Sequence, residues 1–359
     1  MKLLKSKYIL FYKEVLYISF INFKEALILS ENISCLGSIG LGRWAHTLAR
    51  AAQKTGNIDL ALCYDPAEEV AKQFADEFNC TVSSSLEEIL TSDEIDGLII
   101  ATPHSTHAKL VCEAASCKKD IFIEKPFTLT VEDAHKCIAA VNENNILLQV
   151  GHKRRWINAN QKIKEFIDTK ILGEVHHLEA NYSKPIMQRP KDNWRNNPLE
   201  SPAGGMTALG IHMVDLLYYF AGSAKRLSAF SKKLHGKSNL DDVTSILFEF
   251  ENGQTGYVAT SVVVPFNLSA AVYGTEGNVW SCDDGKKMYF QSKDETSKKE
   301  MPIETNDCVI EELKHFSECI SSRETPIVSG KEGLEIIATL EAILESSNMG
   351  KVVELNQFR

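Results

Sequence analysis

Gly40-Leu41-Gly42-Arg43-Trp44-Ala45 lies between a β-rich run and an amphipathic stretch and has the spacing Gly-x-Gly-x-x-Ala. In that place the first glycine permits a tight turn, and the second lets the backbone approach a pyrophosphate. The small alanine lets the following helix pack close to the sheet. Alone the pattern is weak, because such glycines also occur in ordinary turns. Its setting strengthens it: the next β-rich run ends in Asp65, 23 residues after Gly42, near the spacing expected for a carboxylate on an adenosine ribose. A carboxylate there accepts from both hydroxyls and repels a 2′-phosphate, so the expected cofactor is NAD rather than NADP. The competing reading of Asp65 is a helix cap before Pro66-Ala67.

Glu124-Lys125-Pro126 follows the apolar run Ile121–Ile123 and falls at the carboxyl edge of a sheet, where open α/β folds place their ligands. A lysine there reaches a bound substrate, and an oxidised nicotinamide beside it would favour the uncharged amine, a usable base. The competing reading is a surface lysine. His212 and Asp215 stand three apart on a helix opened by Gly204-Gly205, so they share a face. The imidazole can relay a proton or hold a hydroxyl, although such pairs are often structural. His104 and His107 lack a third and fourth ligand nearby in sequence, so no metal is expected. The loop Lys184–Pro202, with Arg189, Trp194 and Arg195, and the run His152-Lys153-Arg154-Arg155-Trp156 offer an aromatic plane and forked donors suited to a sugar or sugar acid. A solvated loop or a subunit contact would have the same composition.

The elements that must position these residues alternate. Strands are expected at Ile33–Ile39, Ile58–Asp65, Gly97–Thr102, Ile121–Glu124 and Ile146–Gly151. Helices are expected at Arg43–Lys54, Ala67–Phe78, near Leu86–Leu90, at Thr106–Ala115 and at Val131–Asn144. Strands joined by helices imply right-handed crossovers and a parallel sheet covered on both faces, the doubly wound dinucleotide-binding architecture. After about residue 152 the pattern changes. Glu174–Tyr182, Arg226–Leu234, Val243–Phe250 and Tyr257–Val263 read as strands, with an Asn252-Gly253 hairpin turn. The second half is therefore an α+β domain with a largely antiparallel open sheet. Helices Gly210–Phe220, Val309–Ser321 and Lys331–Ser346 are expected to cover one face of it, leaving the other as an oligomer interface for a dimer or tetramer.

At 359 residues the chain accommodates two domains. The expected division is an N-terminal extension over 1–30, a dinucleotide-binding domain over 31–152 and a substrate-binding and oligomerisation domain over 153–359. With 39 Lys+Arg against 48 Asp+Glu the net charge is −9, which argues against a general grip on nucleic acid or anionic lipid. The nine cysteines contain no Cys-x-x-Cys pair and read as small buried residues in a reducing, cytoplasmic setting. No run reaches the roughly 18 apolar residues of a membrane span. Residues 1–30 are aromatic-rich, but Lys13-Glu14 and Lys24-Glu25 interrupt them. They read as an extension upstream of the domain start, with an amphipathic docking segment as the alternative.

Taken together, the landmarks resemble the glucose-fructose oxidoreductase / inositol dehydrogenase / MocA (Gfo/Idh/MocA) family of NAD(P)-dependent oxidoreductases. The likeness runs from about Ile33 to Leu355. It rests on the glycine loop, Ala101-Thr102-Pro103 leading to His107, Glu124-Lys125-Pro126, Gly210-x-His212, and Val328-Ser329-Gly330 with the final helix. The Glu-Lys-Pro signature is the most specific of these. The resemblance implies that Gly40 to Trp44 (Gly40, Leu41, Gly42, Arg43 and Trp44), Asp65, Thr102, Pro103 and His107 belong to the cofactor site. It further implies that Glu124 and Lys125 lie beside the reactive carbon of the nicotinamide, and that His212 lies over the substrate. Arg154, Trp194, Arg195 and Thr207 are the accompanying substrate-side candidates. One departure matters. Many family dehydrogenases place an Asp four residues before the catalytic His, where this chain has Ala208, so Lys125 and His212 act without it.

The leading functional expectation is a dehydrogenase or reductase acting on a sugar, polyol or related hydroxy compound, with Lys125 taking the hydroxyl proton. Two alternatives use the same residues: a redox-neutral lyase or glycosidase that oxidises its substrate transiently with bound NAD, and a dinucleotide-binding sensor without turnover.

Overall fold

The structure, a computed structural model, describes residues 33–186, 193–235 and 239–359. The expected extension over 1–30 and the candidate Arg189 lie outside the described residues.

The first sheet begins with β1 (Ser34–Ile39), α1 (Arg43–Thr55), β2 (Ile58–Tyr64), α2 (Glu68–Phe78), β3 (Thr81–Val82) and α3 (Leu86–Thr91). It continues through β4 (Gly97–Ile100), α4 (His107–Ser116), β5 (Asp120–Glu124), α5 (Val131–Asn144) and β6 (Leu148–Gly151). Its order is β3-β2-β1-β4-β5-β6, parallel throughout. Residues such as Leu98, Ile99, Ile100, Ile121, Phe122 and Ile123 are buried, as expected when helices cover both faces of a sheet and strands become continuous apolar runs. α1 turns Ala45, Leu48, Ala49 and Ala52 inward, an apolar stripe at helical spacing. The order of strand addition reverses between β1 and β4, the chain winding outward one way to β3 and the other way to β6. That switch point opens a crevice at the carboxyl ends of the strands.

The second half contains α6 (Asn158–Asp168), β7 (Val175–Ser183), α7 (Ile211–Ala221), β8 (Ala224–Lys232), β9 (Val243–Phe250) and β10 (Thr255–Ser261). It continues with β11 (Asn267–Gly274), β12 (Gly277–Cys282), β13 (Lys287–Ser292), β14 (Lys299–Met301), α8 (Cys308–Ser322), α9 (Gly330–Met349) and β15 (Val353–Glu354). Its sheet has the order β14-β13-β12-β11-β7-β10-β9-β8-β15. Every pair among these described strands is antiparallel except β7 with β10. The β9–β10 hairpin closes through Gly253 at φ 85°, with Gly253 N–H donating to Phe250 O at 2.9 Å.

Two of the three expected covering helices serve this sheet. α7 is almost wholly buried against β7 and β10, and α9 spans from β8 to α5 and β6. α8 does not. Its buried Val309, Leu313 and Phe316 join Leu36, Ala45 and Leu48 in the core of the first sheet, and Ser317 Oγ meets Ser34 Oγ at 2.7 Å. The helix therefore clasps the dinucleotide half, where its apolar stripe meets α1. The opposite face of the second sheet carries Phe230 and Leu247 at 65% and 59% exposure, with Tyr257, Trp280 and Tyr289 half-buried. Among the described residues no helix is long and apolar enough to cross a membrane.

Candidate active site

A cleft of about 880 Å³ runs from the glycine loop, past the end of β5, to the wall formed by β7 and the segment entering α7. Gly40 has φ 81°, and a Cβ there would stand 2.5 Å from Thr102 Cγ2 and 2.9 Å from Thr102 Cα. Any side chain would push apart the loops after β1 and β4. A Cβ at Gly42 meets nothing within 4 Å. Gly42 is the N-cap of α1, which has no side-chain cap and no acid in its first turn. Backbone amides with a favourable dipole thus face open space on the cleft side, a cradle that fits a pyrophosphate.

Asp65 lines the same cleft. Its Oδ2 accepts from Leu41 N at 2.9 Å and its Oδ1 from Ala67 N at 3.0 Å. The carboxylate therefore braces the glycine loop and starts the turn into α2 while keeping lone pairs for a ribose. Leu41 itself is buried and contributes through its backbone. Arg43 and Trp44 line the cleft. Trp44 Nε1 donates to Glu124 Oε1, and Lys153 Nζ stands 4.1 Å from the centre of the indole. Burial holds the Glu124 carboxyl above its ordinary range. Its Oε2 accepts from Lys125 N at 3.2 Å, so Glu124 organises the turn that presents the lysine.

The Lys125–Pro126 peptide is cis. Lys125 lines the cleft, and its Nζ donates to Ala208 O at 3.0 Å. Ala208 belongs to a π-type turn over Met206–Gly210, where Ile211 N–H donates to Met206 O, five residues back. Such widened turns recur at functional sites. His212, one turn further, also lines the cleft, and its Nδ1 is buried without a hydrogen-bond partner. Burial, then the positive charge of Lys125 and Arg154, hold His212 well below the ordinary imidazole range. It is neutral near pH 7.

The expected His212–Asp215 pair does not form. Asp215 is fully buried and bound by Arg155, with Nη2 at 2.7 Å and Nε at 3.0 Å from Oδ1. A forked, permanently charged guanidinium satisfies a buried carboxylate better than a neutral ring. His152 also approaches Asp215, Nδ1 to Oδ2 being 3.9 Å, and its ring centre lies 6.3 Å from that of His212. Burial pushes His152 down to about 4.

Thr102 and Pro103 line the cleft, and Thr102 Oγ1 accepts from Thr106 Oγ1 at 2.7 Å. The ring of His107 is fully buried, Nδ1 lying 2.8 Å from Pro126 O and Nε2 3.2 Å from Thr102 O. It ties the Glu-Lys-Pro turn to the loop after β4. His104 Nδ1 meets Glu200 O at 2.6 Å, and burial pushes this ring down to about 3.

On the substrate side, Arg154, Trp194 and Arg195 line the cleft. Arg154 pairs with Asp284 and lies 4.9 Å from the Tyr182 ring centre, while Arg195 stacks 4.1 Å over Trp194. Thr207 is not brought to the cleft. Its side chain is fully buried, and its Oγ1 accepts from Ala203 N at 3.1 Å. Sequence reasoning missed Tyr182 as a wall residue and Glu200 as a brace, the latter accepting from Ser105 N at 3.0 Å. Both contacts join segments far apart in sequence, and no local pattern announces them.

Residues 36–152 match an oxidoreductase family with an NAD-binding Rossmann fold, and residues 160–280 match the GFO/IDH/MocA C-terminal domain. The chain is 28% identical over 335 residues to scyllo-inositol 2-dehydrogenase (NAD(+)) of Bacillus subtilis, covering 89% of this chain and 95% of that protein. It is 25% identical over 343 residues to D-xylose 1-dehydrogenase [NADP(+)] of Haloarcula marismortui, covering 91% and 94%. A solved structure from Desulfitobacterium hafniense, assigned as an NADPH-dependent oxidoreductase, superposes with a TM-score of 0.87 at 27% identity, covering 91% of this chain and 99% of that one.

Proposed function

The chain belongs to the Gfo/Idh/MocA family of NAD(P)-binding oxidoreductases, and on that premise we propose that it oxidises a CH–OH group of a sugar, polyol or related hydroxy compound, with NAD as the preferred cofactor. The observation that carries the reading is the place of Lys125, whose Nζ reaches from the edge of the dinucleotide sheet to Ala208 O on the opposite wall, 3.0 Å away. A hydroxy compound bound between those walls presents its hydroxyl to the amine.

The residues fit a dinucleotide at the Gly40–Gly42 loop, with Asp65 on the ribose. When bound, the oxidised dinucleotide accepts a hydride. Lys125 takes the hydroxyl proton at Nζ, and Glu124 fixes the turn that aims it. His212, neutral and open on the cleft side, holds or relays a proton at the substrate hydroxyl. The wall from β7 and the α7 entry orients the substrate, which contributes to rate by fixing the reacting carbon. The open face of the second sheet, with Phe230 and Leu247, serves self-association into a dimer or tetramer.

The test is absorbance of NADH with the purified chain, NAD and a panel of polyols, aldoses and uronates. NADH formed in step with substrate consumed supports the reading. Product formed without net NADH would replace it with redox-neutral elimination, and cofactor binding with no turnover by a sensor.

A further inference from the structure

Among the described residues lining the cleft, six carry basic side chains, Arg43, Lys125, Lys153, Arg154, Lys184 and Arg195, and two carry carboxylates, Asp65 and Glu124. This bias is local, because the chain as a whole carries a net charge of −9. Both carboxylates belong to the dinucleotide side: Asp65 holds the amides of Leu41 and Ala67, and Glu124 is buried against Trp44 and Lys125 N. Arg43 adjoins the glycine loop, and Lys153 stacks on Trp44. The charges that remain stand on the substrate wall, where Asp284 offsets Arg154. Lys184 follows the end of β7, with its Nζ 5.6 Å from the Tyr182 ring centre and no carboxylate partner among the described residues.

The charged side chains of the wall are donors alone, and the one amide in its described lining, Asn193, already spends its oxygen on Arg195 N at 3.0 Å. Lysine and arginine only donate hydrogen bonds. A neutral polyol offers hydroxyls that both donate and accept, and a site built for one supplies carboxylate or amide acceptors. Position 208, four residues before His212, is an alanine, and its carbonyl already accepts from Lys125. A wall rich in donors and, among its described residues, without a carboxylate is complementary to a ligand that brings its own acceptors.

From this we propose that the hydroxy compound bound in the cleft carries an oxyanion, a carboxylate or a phosphate, seated on Lys184 and Arg154, whose charged groups stand 5.6 and 4.9 Å from the Tyr182 ring centre. This rests on the reading of the cleft as an oxidoreductase site and specifies its substrate class.

The experiment is calorimetric titration of the full chain loaded with NAD, using matched pairs: D-gluconate against D-glucitol, D-glucuronate against D-glucose, and glucose 6-phosphate against D-glucose, each at low and high salt. At least one oxyanion should bind tenfold or more tightly than its neutral counterpart and weaken with salt, and the pair that responds distinguishes carboxylate from phosphate. Lys184→Gln should weaken that oxyanion roughly 10- to 100-fold and the neutral counterpart by less than about threefold, while Lys184→Arg retains oxyanion binding. NAD affinity and circular dichroism of both variants verify folding. Neutral counterparts binding as tightly as all three oxyanions, or no effect of Lys184→Gln, would overturn the proposal. The two levels separate cleanly. NADH formed from neutral polyols without oxyanion preference removes this inference and keeps the oxidoreductase. Salt-sensitive, Lys184-dependent oxyanion binding with no NADH keeps the inference and removes the oxidoreductase.

Discussion

The Nζ of Lys125 and the carbonyl oxygen of Ala208 lie 3.0 Å apart, joining the edge of the dinucleotide sheet to the π-type turn that begins the substrate wall. Four residues on, His212 Nδ1 is buried without a partner. A carboxylate introduced at position 208 is expected to partner that nitrogen. Ala208→Asp should raise kcat by about threefold or more, some 0.7 kcal/mol of barrier, and should raise KM for an anionic substrate. Unchanged kcat with unchanged KM would show that position 208 faces neither the imidazole nor the ligand.

The two glycines of the loop make separable demands. Gly42→Ala places its methyl in open space, so the melting temperature without cofactor should stay close to wild type while stabilisation by NAD is lost. Gly40→Ala forces a methyl against Thr102 at φ 81° and should lower the melting temperature even without cofactor, since a strained position costs on the order of 1–3 kcal/mol. Thermal scans with and without NAD compare them. Equal losses in the two apo variants would contradict the assignment of Gly42 as the cradle.

On the proposed function, Asp65 selects NAD by repelling a 2′-phosphate. The double variant Asp65→Ser, Pro66→Arg should shift the NADP/NAD affinity ratio upward by roughly 10- to 100-fold, as one charge repulsion is exchanged for a charge-assisted contact. NAD affinity should fall as well, because Leu41 N loses its acceptor. A wild-type chain that already favours NADP in fluorescence titration would refute the selection.

His152 makes stability depend on acidity. Its folded value of about 4 lies below the ordinary 6.5 because of burial, so the unfolded chain takes up the proton first. The full stability is present above pH 6.5 and is lost as pH falls toward 4. Glu124 and Glu312 shift in the opposite direction through burial, so the measurement is the difference between wild type and His152→Gln in urea unfolding, from which both glutamates cancel. Between pH 7 and pH 4.5 the wild type should lose about 2 to 3 kcal/mol more than the variant. Parallel pH profiles would show that His152 does not titrate with folding.

Much of this was legible in the sequence for reasons that can be named. β4 and β5 are continuous apolar runs ending in residues that break a strand, so their carboxyl ends, and with them Thr102 and Lys125, could be located. β9 sets Ile246, Phe248 and Phe250 at a period of two, with Leu247 breaking the polar face, and ends in a turn dipeptide. β11 to β14 escaped because the outward face of that sheet is itself partly apolar, with Ala271, Trp280 and Tyr289 paired across strands and the Tyr273 ring 5.8 Å from that of Trp280, which blurs the period of two. In the site, the three-residue spacing of His212 and Asp215 placed both on one helix. It could not reveal that Arg155, 60 positions away, takes the carboxylate. Thr207 failed as a cleft residue for a related reason: the π-type turn directs its hydroxyl to Ala203 N, and a regular helical spacing does not anticipate that turn.

The central claim is that Lys125 is the principal proton-transfer group and His212 its auxiliary. Single-turnover hydride transfer in Lys125→Met, His212→Ala and wild type tests it most directly, once the panel has yielded a substrate. Methionine keeps the apolar stem and deletes the amine, so NAD affinity should stay within about twofold while hydride transfer falls roughly 100- to 10,000-fold, about 3 to 5 kcal/mol of barrier. His212→Ala should cost less. Near-normal hydride transfer in Lys125→Met, with collapse only in His212→Ala, would contradict the account and make the imidazole the base.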